Sequence, residues 1–204
     1  MERNLDQRYY INSLNETTDI YDDKGKTALL VIDEQPKLMN AMENGKETLE
    51  NTVGLIDAFN TYGMHVIATE QYPKGLGRSD DRILERIDEE KIFAKSIFDA
   101  AIPEVLEYFE KNEISNVVIT GAEGHICVYQ TVRSLLDAGY NVLVVEDAVS
   151  SFKESQKQRA ITTFIHMGAV IVNTEMALFD IARDSKDEHF KYISNLIKEM
   201  RARG

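Results

Sequence analysis

Six short apolar runs constrain this sequence more than any other feature. They are Ala28–Ile32, His65–Thr69, Lys91–Lys95, Val117–Ile119, Val142–Val145 and Ala169–Val172. Most are continuous rather than alternating, which suits strands buried on both faces of a parallel sheet. Between them lie stretches of helical period. Lys46–Tyr62 carries Leu49, Val53, Ile56 and Phe59 on one side and ends at Gly63. A helix opens at Ile102–Pro103 with proline in its first turn, and a shorter one is predicted over Ser79–Ile87. Ser155 and Gln158 form a capping-box pattern for a helix ending near Met167–Gly168. Met176–Ile181 and Glu188–Arg201 are also predicted helical. Strands alternating with helices imply an α/β fold. The expectation is a three-layer α-β-α, Rossmann-like domain over residues 25–204, with a parallel sheet of about six strands covered on both faces.

Residues 1–24 are polar, with Tyr9, Tyr10 and Ile11 among them, and are expected to form an arm that packs on the domain or on a neighbouring subunit. No apolar run approaches membrane-spanning length, and the first six residues lack the core of a signal peptide. The net charge of −12 argues against nucleic acid or an anionic membrane as partner. The single cysteine cannot form an internal disulfide, which points to a reducing cytoplasm.

The unit from Val117 to Asp147 reads as strand, tight turn, helix, strand. Its turn, Gly121-Ala122-Glu123-Gly124-His125-Ile126, delivers Cys127 to the first turn of a helix at the carboxyl end of a buried strand. Ligands of open α/β sheets bind at that edge, and the helix dipole there favours a thiolate. Asp33 and Lys95 follow two other predicted strands and join Cys127 as candidates for one site: an acid, a cation and a nucleophile. Each has a plainer reading, Asp33 as a turn cap, Lys95 as a solvated edge charge and Cys127 as a small buried hydrophobe.

These residues resemble the isochorismatase-like cysteine hydrolases, the superfamily of nicotinamidases, carbamoylsarcosine amidases and isochorismatases. Leu30-Val31-Ile32-Asp33 resembles the first strand and its aspartate, Lys95 the lysine after the third strand, and Gly121–Val128 the nucleophile turn. Thr69-Glu70-Gln71-Tyr72-Pro73-Lys74-Gly75-Leu76-Gly77 is similar to the isochorismatase domain-containing branch. The resemblance implies hydrolysis of a small amide-type C–N bond through a thioester on Cys127, with Asp33 as general base and Lys95 supporting both. It implies a cis peptide between Ala122 and Glu123 and an oxyanion hole from the amides of Glu123 and Cys127. It implies a homo-oligomer, a dimer or larger, acting on a small molecule. Gln35, Tyr72, Leu76, Phe98 and Gly124 are the expected pocket lining.

Two departures qualify the likeness. Nicotinamidases hold a metal beside the second strand, where this chain has Glu70-Gln71-Tyr72, and the four histidines lack metal-ligand spacing, so no metal or other cofactor is expected. Gly124 stands where many relatives carry threonine or alanine, and glycine is expected to relax the turn. The alternative reading is therefore a catalytically weak or inactive oligomeric binding protein of the same fold. A redox sensor ranks lower, because Cys127 has no resolving partner. A dinucleotide loop is excluded by the missing third glycine at Asp80 after Gly75 and Gly77.

Overall fold

The computed structural model describes residues 24–202. The expected N-terminal arm, but for Lys24, lies outside the described residues. Among them, six strands form one parallel sheet in the order β3-β2-β1-β4-β5-β6. They are β1 (Thr27–Ile32), β2 (His65–Gln71), β3 (Ile92–Lys95), β4 (Asn116–Ala122), β5 (Asn141–Ser150) and β6 (Val170–Val172). All six residues of β1 are buried, as its unbroken apolar run requires.

The helices are α1 (Pro36–Met39), α2 (Gly45–Thr61), α3 (Pro73–Leu76), α4 (Asp81–Leu84), α5 (Pro103–Lys111), α6 (Tyr129–Ala138), α7 (Glu154–Met167), α8 (Thr174–Ala182) and α9 (Phe190–Arg201). Leu29 and Val31 point to one face of the sheet, where they meet Leu55, Ile56 and Phe59 of α2, Leu178 and Ile181 of α8, and Ile193 of α9. Ala28, Leu30 and Ile32 point to the other, against Val105 and Phe109 of α5, Val132 and Leu135 of α6, and Phe164 of α7. The three-layer α/β expectation therefore holds. None of the described helices is long and apolar enough to cross a membrane.

Three local expectations are corrected. First, β2 runs on through Glu70 and Gln71, which the sequence suggests are loop. Both polar side chains have partners there, so neither breaks the strand: Arg78 Nε reaches the Glu70 carboxylate at 2.8 Å, and Gln71 accepts from Lys95. Second, β5 continues past Asp147 to Ser150. Asp147 stays in the strand because its Oδ1 accepts from the amide and hydroxyl of Thr174 at 2.7 and 2.8 Å. Third, α7 is capped from Lys153, whose amide donates to Gln156 Oε1 at 3.1 Å, not by Ser155 with Gln158.

The order of strands decides where chemistry can happen. Connections from β1 run outward through β2 to β3, and those from β4 run outward the other way. β1 and β4 are neighbours at the point of reversal, with Ile32 in register with Gly121. A crevice opens at such a point beyond the carboxyl ends of the two strands. Asp33 follows β1 there, and the turn carrying Cys127 follows β4.

Candidate active site

Asp33 leaves β1 with a positive φ of 54°, a conformation that turns its side chain sharply out of the strand. Its amide stays tied to Thr69 O at 3.1 Å, and its Oδ1 accepts from Thr69 Oγ1 at 2.8 Å. Its Oδ2 lies 2.6 Å from Lys95 Nζ, and both side chains are fully buried. The ammonium also donates to Gln71 Oε1 at 2.7 Å and Phe98 O at 2.9 Å, with Ile97 O at 3.3 Å. Three N–H donors thus have at least three oxygens, and no proton of Lys95 is left over for a ligand.

Cys127 does not open an α-helix directly. Gly124–Val128 form one π-helical turn, and α6 begins at Tyr129. The Glu123 carbonyl accepts from Ile126 N at 2.9 Å and Val128 N at 3.2 Å, which pins the turn. Thr131 Oγ1 donates to Cys127 O at 2.7 Å and accepts from Ala100 N at 2.8 Å, linking the turn to the segment after β3. The thiol, 5% exposed, lies beside the Asp33 carboxyl and the backbone amide of Glu123. The Ala122–Glu123 peptide is cis. Asp33, Lys95 and Cys127 are gathered at one point, with the amide of Glu123 beside the sulfur.

The electrostatics differ from the thiolate expectation. Burial pushes the Cys127 thiol up to about 12, the charge of Asp33 pushes the same way, and Lys95 only partly opposes them. At neutral pH the sulfur carries its proton. Burial also raises the Asp33 carboxyl, against the pull of Lys95. A raised carboxylate touching a protonated thiol forms a base and its proton donor in waiting.

The expected pocket lining divides. Phe98 and Tyr72 are 51% and 57% exposed beside the site, and Leu76 is half-buried on α3. Gln35 is fully buried. Its side chain donates to Gln71 O at 3.0 Å and Gly77 O at 2.6 Å and accepts from Gln71 N at 2.8 Å, so it staples the end of β2 to the residue after α3. At Gly124 a Cβ would lie 3.0 Å from both Val149 Cγ1 of β5 and Ser151 Oγ just beyond it, so a larger residue there requires those two side chains to give way. At Gly121, φ is +119° and a Cβ would fall 2.1 Å from Ile32 O, which explains how β4 comes so near β1. Thr69 and Gln71 were not among the expected site residues. Their spacing of two on one strand is the signal, visible only once β2 is known to extend that far. Among the described residues, no group of three His, Cys, Asp or Glu side chains could hold a metal ion.

Comparison with known proteins finds relatives with the same fold. The isochorismatase domain profile matches residues 27–176. Isochorismatase family protein 1B of Dictyostelium discoideum is 32% identical over 180 residues, covering 86% of this chain and 87% of that one. Among solved structures, the MAR1 ribonuclease of Caenorhabditis elegans is similar with a TM-score of 0.81 at 34% identity, covering 86% of this chain and 91% of that one. The Escherichia coli YcaC product, an octameric hydrolase of unknown specificity, shares the fold with a TM-score of 0.78 at 19% identity, covering 89% and 97%.

Proposed function

Because the chain belongs to the isochorismatase domain family, we propose that it is a cysteine hydrolase that cleaves a small amide-type C–N bond through a thioester on Cys127. The observation that carries this reading is the fully buried Asp33–Lys95 pair in contact with the only thiol of the chain. As the thiol proton passes to Asp33, the sulfur attacks the carbonyl carbon. Lys95 does not touch the substrate; it holds Asp33 in register and offsets the charge that builds on the sulfur. The amides of Glu123 and Cys127 receive the carbonyl oxygen as it becomes an oxyanion. Asp33 returns the proton to the nitrogen, the amine departs, and the acyl group remains on sulfur. Asp33 then takes a proton from water, which attacks the thioester and releases the acid and the thiol.

The substrate in this reading is a small uncharged molecule. Every ammonium proton of Lys95 is engaged, so Lys95 does not await a substrate carboxylate, and Tyr72 and Phe98 form an apolar rim. The C. elegans protein of similar structure is described as a ribonuclease, but a net charge of −12 disfavours a polyanion here. The exposed Tyr72, Ile97 and Phe98 fit burial in a homo-oligomer, and a chain with one cysteine fits a reducing cytoplasm. Incubation with a panel of small amides should release ammonia or amine and leave a trappable acyl adduct on Cys127. Cys127→Ala and Asp33→Asn should lose turnover while remaining folded, and RNA in the same panel should stay intact. A folded Cys127→Ala variant with full amidase activity would sink the scheme.

A further inference from the structure

Asp33 is followed by a second buried acid that the scheme above does not use. Asp33 and Glu34 direct their side chains to opposite faces of the sheet. Asp33 goes to Lys95 and Cys127, whereas Glu34 goes under α2, where it too is 0% exposed. Asp33 has a cation partner, and among the described residues Glu34 has no ion-pair partner. Glu34 Oε1 accepts from Thr52 Oγ1 of α2 at 2.6 Å. Among the described residues, Glu34 Oε2 has no hydrogen-bond partner, and neither has the buried hydroxyl of Thr120 on β4, which lies near it. The Thr120 hydroxyl could donate to a carboxylate, but a carboxylate buried at 0% exposure with no cation against it stays costly, whereas a neutral acid accepts from Thr52 through Oε1 and has a proton on Oε2 to give to Thr120.

We propose that Glu34 is a positioning residue that works as a neutral acid. Its Oε2 proton is donated to Thr120 Oγ1, which fastens the tip of β1, and with it Asp33, to the tip of β4 at the root of the nucleophile turn. Thr120 directly precedes Gly121, and Ile32 and Gly121 are in register, so the link spans the same pair of strands that brings Asp33 to Cys127. Burial pushes the Glu34 carboxyl up to about 8, in keeping with a neutral group at pH 7. The charged groups that reach it are Asp80, which pushes it further up, and Arg82, which pulls it down. Those two are bound to each other at 2.8 Å, so their effects on Glu34 oppose and largely cancel. From α2 and β4 it is faced by hydroxyls, Thr52 and Thr120. The inference rests on the catalytic reading of Asp33 and Cys127, but its tests can be read without turnover.

Infrared spectroscopy at pH 7 should show a protonated-carboxyl stretch that disappears in Glu34→Gln. In Thr120→Val the band should move to the position of a carboxyl without an acceptor, and Thr120→Ser should restore it. Alkylation of Cys127 by iodoacetamide at pH 7 should speed up about tenfold in Thr120→Val, as the turn loosens, and return in Thr120→Ser. If an amide substrate is found, wild-type turnover should fall above pH about 8, and Glu34→Gln should lack that alkaline limb, since its amide donates at any pH. An infrared spectrum unchanged by Glu34→Gln, or an alkylation rate indifferent to Thr120→Val, would overturn the proposal. Failure of every amide to react, with the band and the alkylation rate responding as described, would remove the amidase reading and leave the Glu34–Thr120 link standing.

Discussion

Replacing Lys95 by methionine tests the site at its most exposed energetic point. The change keeps the length and apolar body of the side chain and removes the ammonium. In the native site that ammonium donates to Asp33 Oδ2, Gln71 Oε1 and Phe98 O at 2.6–2.9 Å, and it is fully buried with Asp33. After the substitution Asp33 keeps only Thr69 and Cys127 as side-chain partners, at 0% exposure. Breaking one side of a buried pair costs about 3–5 kcal/mol, because the remaining charge is desolvated without compensation. For a chain of this size that is a fall in Tm of roughly 6–20 °C. The cost has a pH signature. Burial raises the Asp33 carboxyl, and without Lys95 it rises further. A carboxyl raised on folding stabilises most below its unfolded value and loses that contribution as pH rises through its folded value. Lys95→Met should therefore recover stability on going from pH 7 to pH 5, relative to the native chain. Urea melts of the native protein, both single variants and the Asp33→Asn/Lys95→Met double variant at the two pH values make the cycle. The double variant should be more stable than the sum of the singles predicts, by about 1–3 kcal/mol. A Lys95→Met protein within 1 kcal/mol of the native at pH 7, or strict additivity in the cycle, would refute the buried ion pair.

Three further outcomes are expected. Because the Cys127 thiol is held up to about 12 by burial and by Asp33, its alkylation by iodoacetamide should be slow at pH 7 and still climbing above pH ~8.5, the reference thiol value. Asp33→Asn should speed that alkylation while removing turnover, and a native rate that is already high and flat below that pH would contradict the assignment. Gly124→Thr should lower stability by about 1–3 kcal/mol in thermal melts, since Val149 and Ser151 already stand 3.0 Å from a Cβ at that position; a stabilised variant would show that the turn has room. Gln35→Leu should cost about 1–3 kcal/mol and make the 71–77 loop more sensitive to protease, because three hydrogen bonds to that loop's backbone are lost together; unchanged proteolysis would deny it the role of staple.

By itself the sequence determined the class of fold. In a parallel sheet with helices on both sides each strand is buried twice over, so β1, β4 and β5 had to be written as continuous apolar runs, and the amphipathic stretches between them had to be helices. The sequence also marked Asp33, Lys95 and Cys127, since a polar residue directly after such a run sits at the carboxyl edge of the sheet. Only the tertiary structure decided which edges meet. The strand order sets β1 beside β4, so residues 33 and 127 touch although 94 positions separate them. It also decided where strands stop. Glu70, Gln71 and Asp147 look like loop because an unpartnered polar side chain cannot be buried, and their partners at 78, 95 and 174 come from other elements. The same holds for charge. A thiol after a strand looks like a thiolate, yet desolvation and the neighbouring carboxylate outweigh the lysine and hold it protonated. Glu34 looks like part of a polar turn until the fold closes α2 over it, and burial without a cation makes it a neutral acid.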